Sequence, residues 1–559
     1  MATDIIIFLV IIIFKIFLFP TYQSTDFEVH RNWKAITNSL PISEWYFYAD
    51  NKWTLDYPPL FAYMEYILGK LSKILDPNIT NLEKFNYNSI TCKLFMRATV
   101  LLGDWFLFFS IRFLSKNINL SLNKYHTLLF FIQFYAGLVI IDNIHFQYNG
   151  ILFGIFFISL GFIAKKRYIY GAIFYFICLC MKHIFIYFSP AYFIFYFKYI
   201  IINNIQKRKF KKIIINTFLI GIGICIVLIL SFLPFIAISI KEKNLSQLIQ
   251  IKNRLFPVQR GLLHTYWAPN FWALYSFLDK ILYFAHTNLN KKYKFLEKIS
   301  NFFLKYKDNK SIYDRKNTSS LGASENGVSQ ETGFDILPDI DMKKTNIIII
   351  TFIFIYYIKY IYENYKTKNA KSKNDKIKEF IKNCIFSNLI FFNFGYQVHE
   401  KAFLNISILT ILYYLILVNN VEIKDKKYIT YTDDITSFAL IITFIGTSAQ
   451  MPLVNDPKDY LVKIGLVAFY YFFCFIAIFN KGDFNSDCGT KVVITITLIL
   501  ILILDFLITF QNSFDFDLKI PGIKELEKII DRYPFIFLMS YSALNAIFVQ
   551  IIFLLLFTD

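Results

Sequence analysis

Apolar runs long enough to cross a lipid bilayer recur from one end of this 559-residue chain to the other. The chain is 56% hydrophobic, with 65 phenylalanines and 38 tyrosines, and its apolar residues are grouped in blocks. A transmembrane helix needs about 20 such residues in succession, whereas a soluble chain of this length would show amphipathic periods and several domains. The sequence therefore predicts an all-α, polytopic membrane protein.

About fourteen runs qualify as candidate spans. In residue numbers they are 5–19, 95–114, 127–141, 150–164, 169–182, 184–200, 216–239, 345–361, 384–398, 402–418, 436–450, 460–480, 490–511 and 535–557. The first run has no basic segment before it and no small-residue cleavage site after it, so we interpret it as a retained helix. We predict one membrane domain over residues 1–559, with about 14 transmembrane helices.

The net charge of +19 is concentrated in short loops between the runs, such as 165–167 and 206–212. This distribution follows the positive-inside rule and argues against nucleic-acid binding. It predicts that the N-terminus lies in the cytosol and that, after an even number of spans, the C-terminus does too. The luminal side then receives five polar segments, 20–94, 142–149, 182–183, 240–344 and 399–401.

The long luminal segment 240–344 contains two stretches that bear on this topology. Residues 270–285 could form another span, but a crossing there would place the lysine-rich loop 362–383 in the lumen, so we predict a non-spanning helix. Residues 308–344 have the composition of a disordered insertion.

Histidine and tryptophan concentrate on the predicted luminal side, which indicates a functional site at that face. Five of the seven histidines belong to luminal segments: His30, His145, His183, His264 and His399. Five of the six tryptophans do as well: Trp33, Trp45, Trp53, Trp267 and Trp272.

The first luminal segment contains the stretch STDFEVHRNW, in which Asp26 and His30 are four residues apart and so share a helix face. Glu28 and Trp33 belong to the same polar cluster, and Asp56 follows in WTLDYPP. The alternative is an interfacial helix whose polar face is wet and whose aromatic residues anchor it at headgroup depth.

Three further luminal motifs carry more polar groups than a turn requires. DNIHFQYNG contains His145 and Gln147, and MKHIFIYFSP places Lys182 and His183 at a hairpin tip, where snorkelling is the alternative. RLFPVQRGLLHTYWAPNFWALY combines groups that suit phosphates and sugars, with an aromatic membrane belt as the alternative: Arg260, His264 and Trp267. GYQVHEKAF holds three polar residues in a tight turn, where a helix cap is the alternative: His399, Glu400 and Lys401.

Charged residues also occur inside the apolar runs, where they usually pair or serve function. Arg97 and Asp104 are seven residues apart and share a helix face, and an interhelical ion pair is the alternative to a functional role. Lys15 and Asp505 stand isolated, as in a secondary transporter, but the chain halves show no repeat. A transporter is one alternative to an enzyme. A scaffold or chaperone is another, if the site were degenerate.

Together these motifs resemble the endoplasmic-reticulum family of dolichyl-phosphate-glucose-dependent α-1,3-glucosyltransferases, which build the N-glycan precursor. The resemblance extends from about Tyr22 to Ala402, with a similar helix count beyond. STDFEVHRNW, WTLDYPP, HFQYNG and HTYWAPNFWALY resemble the branch that adds the second glucose. Gln397 stands where that branch has histidine and is more like the branch that adds the first glucose. Another lipid-phosphate-sugar transferase, such as a mannosyltransferase, is the nearest enzymatic alternative.

The resemblance implies a GT-C-type fold and an inverting transfer of glucose from dolichyl phosphate β-D-glucose to a dolichol-diphosphate-linked oligosaccharide. Inversion by a single displacement needs one base, and a phosphate leaving group needs no general acid. The resemblance assigns the base to Asp26. It suggests four phosphate partners: Lys401, His399, Arg260 and Arg97. No cofactor or metal is implied, and the seven cysteines show no zinc-site spacing.

Overall fold

A computed structural model of the chain describes residues 2–256, 262–263, 268–284, 286, 334–366, 373–419, 438–479, 499–509 and 536–558. Within these ranges the secondary structure is helical, and the one extended pairing is an isolated bridge between Leu263 and Val398. The prediction of an all-α protein is confirmed.

The N-terminal half consists of a first helix, two short helices and then a series of apolar helices. Their bounds are Ala2–Ile16 (α1), Thr25–Ser39 (α2), Pro59–Leu75 (α3), Ile90–Asn117 (α4), Leu122–Gln133 (α5), Ala136–Ile144 (α6), Asn149–Ala164 (α7), Tyr168–Met181 (α8), His183–Gln206 (α9), Phe210–Glu242 (α10) and Ser246–Leu255 (α11).

The described helices of the C-terminal half are separated by longer gaps. Their bounds are Phe271–Phe284 (α12), Met342–Lys366 (α13), Lys373–Phe394 (α14), Phe403–Asn419 (α15), Phe438–Leu453 (α16), Tyr460–Phe479 (α17), Ile499–Thr509 (α18) and Ile536–Thr558 (α19).

Several of these helices are long and apolar enough to cross a membrane. By length and composition, six helices in the described ranges qualify, or up to seven if the bent pair α5–α6 is one span. A helix underlies each predicted apolar run, but others, such as α7 and α8, are shorter than this criterion requires. The protein is therefore a multi-pass membrane protein, while the count of fourteen spans stays a prediction.

Helices α2 and α3 are joined by a buried polar network. The Glu65 carboxylate of α3 accepts hydrogen bonds from Lys34 Nζ and bonds His30 Nδ1, both at 2.6 Å. Lys34 also donates to the Tyr148 hydroxyl at 3.0 Å, and this hydroxyl bonds Thr99 Oγ1 of α4. The network ties α2 to both α3 and the membrane helices, which holds its N-terminus in a defined place.

Helix α12 carries the end of the predicted disordered insertion. Asp279 accepts the backbone N–H groups of Asp335, Ile336 and Leu337, and the last two side chains are buried. Residues 335–337 are therefore held against α12, while the disordered insertion over 308–344 otherwise stays a prediction. Residues 308–333 lie outside the described ranges.

Two ion pairs lie inside the helix bundle. Lys15 of α1 contacts Asp104 of α4 at 2.6 Å, and Lys463 of α17 contacts Asp505 of α18 at 2.9 Å. Lys15 and Asp505 are thus paired, which corrects the prediction that they are isolated charges. For Asp104, the interhelical ion pair is confirmed. Pairing is the usual fate of charges at such depth, so these residues give no support to a transporter.

Replacing Lys15 by Met is expected to destabilise the fold, because it leaves the buried Asp104 carboxylate without its cation. Removing one partner of a buried pair costs about 3–5 kcal/mol. Thermal unfolding in detergent should show a lower midpoint, while Lys116→Met, on the exposed surface of α4, should not change it. The double variant Lys15→Met/Asp104→Leu should recover stability. A Lys15→Met protein with the wild-type midpoint would contradict the expected contribution of the pair.

Candidate active site

Four segments that are distant in sequence meet around the Asp26 carboxylate. Lys401 Nζ donates to Asp26 Oδ2 at 2.6 Å, and Gln147 Nε2 donates to the same oxygen at 2.7 Å. His145 Nε2 lies 3.6 Å from Asp26 Oδ1. Lys182 Nζ in turn donates to Gln147 Oε1 at 3.0 Å. The Asp26 side chain is 18% exposed, so the carboxylate can be reached from outside the protein.

The position of Asp26 follows from the start of α2. Ser24 is the N-cap residue, and its Oγ accepts the Phe27 N–H at 3.1 Å. The same hydroxyl donates to the His145 carbonyl, so the cap joins α2 to the turn that carries His145. Asp26 lies in the first turn of the helix, where the free N–H groups favour a negative charge.

The turn between α6 and α7 presents two side chains to Asp26. Phe146, between His145 and Gln147, has φ of 82°, a left-handed conformation that is strained for a bulky residue. Its ring is fully buried, 5.1 Å from the ring of Phe27, and this packing holds the strained conformation in place. Strain of this kind, typically about 1–3 kcal/mol, clusters at functional sites. Here it reverses the chain so that both flanking side chains reach Asp26.

Arg97 holds the backbone that leads into this turn. Its guanidinium donates to the carbonyls of Asn143 and Ile144, and to the Tyr22 carbonyl at 2.8 Å, and the residue is only 1% exposed. Its donors are thus directed at backbone carbonyls in the interior. We therefore assign Arg97 to the positioning of the loops, which corrects the prediction that it binds phosphate.

The Asp26 carboxylate is held in its charged form. Burial raises the pKa of Asp26. The charges of Lys401 and His145 and their hydrogen bonds to the carboxylate act in the opposite direction and outweigh burial, so the pKa of Asp26 lies well below its usual range. Burial and the nearby Lys401 charge lower the pKa of His145. The centre therefore pairs a charged carboxylate with the Lys401 side chain at 2.6 Å.

Tyr22 is a residue of this centre that sequence reasoning missed. Its hydroxyl donates to the Leu453 carbonyl at 2.5 Å and lies 3.0 Å from His145 Nδ1. The Tyr22 hydroxyl thus links the His145 ring to the backbone at Leu453 and helps to hold the ring beside Asp26. No sequence signal marks Tyr22, because its partners are supplied by residues more than a hundred positions away.

Lys182 is expected to produce an alkaline limb in the pH profile of activity. Burial lowers the pKa of its ammonium to about 8, despite the opposing effect of Asp142. The charge is present below this pH and is lost as the pH rises through it, which weakens the hydrogen bond that orients Gln147. Rate measurements across this range should show the decline, and Lys182→Arg, which keeps its charge, should move it to higher pH. An unchanged limb in Lys182→Arg would exclude Lys182 as its source.

The remaining predicted site residues lie further from Asp26. His30 and Trp33 are both 2% exposed and pack on each other, with ring centroids 4.9 Å apart. Both side chains therefore belong to the packed interior beside α2, which corrects the prediction that they contact substrate. Glu28 accepts two hydrogen bonds from Arg31, at 2.6 and 2.8 Å.

The other candidates have mixed positions. Glu400 is buried, whereas three are half-buried: Asp56, His183 and His399. Three lie outside the described residues: Arg260, His264 and Trp267. In the described ranges, no group of three His, Cys, Asp or Glu side chains is arranged to hold a metal ion.

Comparison with known proteins identifies the family. A model of the ALG6, ALG8 glycosyltransferase family matches residues 11–556, almost the whole chain. The chain belongs to this family. The family predicted from the motifs is confirmed, and the residues around Asp26 are the candidate active site of a glycosyltransferase.

Curated relatives within the ALG6, ALG8 family share one name, dolichyl pyrophosphate Glc1Man9GlcNAc2 alpha-1,3-glucosyltransferase. The protein of Neurospora crassa is 30% identical over 548 residues, which cover 96% of this chain and 94% of the relative. That of Saccharomyces cerevisiae is 31% identical over 541 residues, 94% of this chain and 86% of the relative. The mouse protein is 41% identical over 281 residues, 48% of this chain and 52% of the relative.

Proposed function

We propose that this protein transfers glucose from dolichyl phosphate β-D-glucose to Glc1Man9GlcNAc2-PP-dolichol, forming an α-1,3 linkage and adding the second glucose to the N-glycan precursor. The observation that carries the proposal is the placement of Asp26 against Lys401 and His145, where four polar segments meet. The names of relatives that match nearly the whole chain support the choice of substrates.

In the proposed reaction Asp26 is the base. As an acceptor hydroxyl oxygen attacks C1 of glucose, its proton passes to the Asp26 carboxylate. The bond between C1 and the phosphate oxygen breaks, and its electron pair leaves with dolichyl phosphate. Attack from the face opposite the phosphate inverts C1, so a β-linked donor yields an α-linked product. The low pKa of Asp26 suits this step, because the hydroxyl proton becomes acidic only as the oxygen bonds to carbon.

The leaving phosphate gains negative charge, and Lys401 is the cation best placed to stabilise it. Its ammonium contacts Asp26, and its side chain is 15% exposed. A pre-placed cation stabilises charge that develops in the transition state without reorganising at the moment of reaction. A donor phosphate that draws Lys401 from Asp26 would also raise the proton affinity of the carboxylate. Binding of the donor would in this way activate the base.

The proposal includes a membrane arrangement. We infer a GT-C-type fold of about 14 transmembrane helices in the endoplasmic-reticulum membrane, with a luminal active site and cytosolic termini. The convergence of segments 20–94, 142–149, 182–183 and 399–401, all assigned to one side by charge bias, supports this arrangement.

Labelled dolichyl phosphate glucose tests the function. The purified protein is supplied with lipid-linked acceptors that carry either no terminal glucose or one. We expect transfer to the monoglucosylated acceptor. Transfer only to the unglucosylated acceptor, which the glutamine at position 397 would favour, would assign the protein to the first-glucose branch. Transfer to neither acceptor would overturn the proposed activity.

A further inference from the structure

A polar cavity adjoins the start of α2 on the side away from the Asp26 centre. It has a volume of about 570 Å³, and its lining includes Gln23, Glu28, Lys52, Trp53, Phe85 and Asn86. Glu28 follows Asp26 by two residues, and successive side chains on a helix are about 100° apart. The two carboxylates therefore leave α2 about 200° apart. The cavity is a neighbour of the active site and not a part of it.

The lining combines exposed aromatic rings with hydrogen-bonding groups. Phe85 is 52% exposed, and Trp53 is half-buried with Lys52 Nζ 4.6 Å from its ring centroid, so both rings contribute surface to the cavity. The amide nitrogen of Gln23 is shielded from solvent and has no hydrogen-bond partner in the part of the chain that the structure describes. A buried polar group without a partner is costly, so this donor is suited to an acceptor oxygen of a ligand.

The walls of the cavity are rigid. Arg31 holds the Glu28 carboxylate through two hydrogen bonds, and its NH1 group donates to the Ile79 and Asn81 carbonyls at 3.0 and 3.2 Å. Asn32 of α2 donates to the Trp53 carbonyl at 2.9 Å, which fixes the aromatic wall relative to the helix that carries Asp26. A ligand would meet a pre-organised surface and would pay little ordering entropy on binding.

We propose that this cavity is a subsite for a sugar residue of the acceptor oligosaccharide, away from the hydroxyl that reacts. The apolar C–H face of a sugar packs on an aromatic ring, while amides and carboxylates bond its hydroxyl groups. An acceptor arm whose reacting hydroxyl lies at Asp26 would continue past the first turn of α2 into this cavity. The inference rests on the proposed function, since it takes the acceptor to be an oligosaccharide.

Two other occupants fit the lining less well. A donor phosphate would meet the Glu28 carboxylate beside Lys52, whose ammonium already lies 4.6 Å from the Trp53 ring centroid. A dolichyl chain would leave the amides of Gln23 and Asn86 without hydrogen bonds. The rings could also serve only to anchor the protein at the membrane interface. That role would not require amide and carboxylate side chains next to the rings, as this cavity has.

Trp53→Ala tests the subsite. We expect the KM for the lipid-linked acceptor to rise about tenfold, equivalent to about 1.4 kcal/mol of binding, while the KM for dolichyl phosphate glucose stays unchanged. Trp53→Phe, which keeps an aromatic ring, should restore most of the acceptor affinity. Phe47→Ala, at an exposed ring of the same luminal segment outside the cavity, is the matched control and should behave as wild type.

The outcomes separate the two proposals. If wild-type protein transfers glucose but Trp53→Ala leaves the KM for the acceptor unchanged, the subsite is excluded and the proposed function stands. If both KM values rise together, the substitution has disturbed the whole site and the subsite assignment is overturned. Gln23→Ala provides a second variant that removes no ring, and it should also raise only the KM for the acceptor. If wild-type protein transfers no glucose to any acceptor, the proposed function itself has failed.

Discussion

Asp26→Asn is expected to lower glucose transfer by about 10²–10⁴-fold, the range that a positioned general base contributes. Asparagine has nearly the shape of aspartate, and its carbonyl oxygen can still accept from Lys401 and Gln147, which donate to Asp26 in the native site. The substitution therefore removes the basic lone pairs and the charge while keeping the local contacts. Transfer from labelled dolichyl phosphate glucose under single-turnover conditions measures the chemical step.

Binding of the lipid donor and the amount of protein that accumulates are the controls for Asp26→Asn. The variant should accumulate to the wild-type level and bind the lipid donor, because the buried network of Glu65, Lys34 and His30 that anchors α2 is unchanged. Glu44→Gln is the matched carboxylate variant, since Glu44 is exposed, follows α2 in the chain and lies outside both the Asp26 centre and the cavity lining. Its chemical step should stay near the wild-type rate. Normal turnover by Asp26→Asn would exclude Asp26 as the base.

Lys401→Met is expected to lower kcat/KM for the donor by about 10²–10³-fold, the loss found when one group that stabilises transition-state charge is removed. Its ammonium is 2.6 Å from Asp26, and both side chains are partly accessible to substrate. Lys401→Arg keeps the charge and should retain part of the activity. Lys84→Met, at an exposed lysine between α3 and α4, is the matched control.

The pH profile of Lys401→Met distinguishes a direct electrostatic role from a general loss of structure. The charge of Lys401 helps to keep the pKa of Asp26 well below the usual range, although burial acts in the opposite direction. The active carboxylate is present above that pKa and is lost as the pH falls through it. Without Lys401 the pKa of Asp26 rises, so the acid limb should move to higher pH. An acid limb at the wild-type position would contradict the coupling of the two residues.

Residue type and position in the topology were sufficient to predict part of this site. Asp26, His145, Gln147, Lys182 and Lys401 were all candidates from the sequence, and the structure brings them together. Charge bias in the loops predicts one face of the membrane for all these motifs, and polar groups on one face can converge, while their roles in the reaction stay predictions.

Other candidates failed because a sequence does not show which way a side chain points. His30 shares a helix face with Asp26, yet Glu65 of another helix draws its ring into the interior. Arg97 has the chemistry of a phosphate ligand, but its guanidinium is used by backbone carbonyls of a loop 46 residues away. The pairing of Lys15 with Asp104, 89 residues apart, is likewise a matter of helix packing.

The sequence by itself determined that this chain is helical and membrane-spanning, and its motifs indicated the family and the central carboxylate. Helicity and membrane crossing depend on local composition, since a bilayer requires long apolar helices, whereas the choice of Asp26 came from the resemblance to the family. Only the tertiary structure decided which polar residues surround Asp26, which ones are consumed by the scaffold, and that Tyr22 belongs to the centre. The physical reason is that hydrogen bonds and ion pairs form between neighbours in space, and the packing of helices chooses those neighbours.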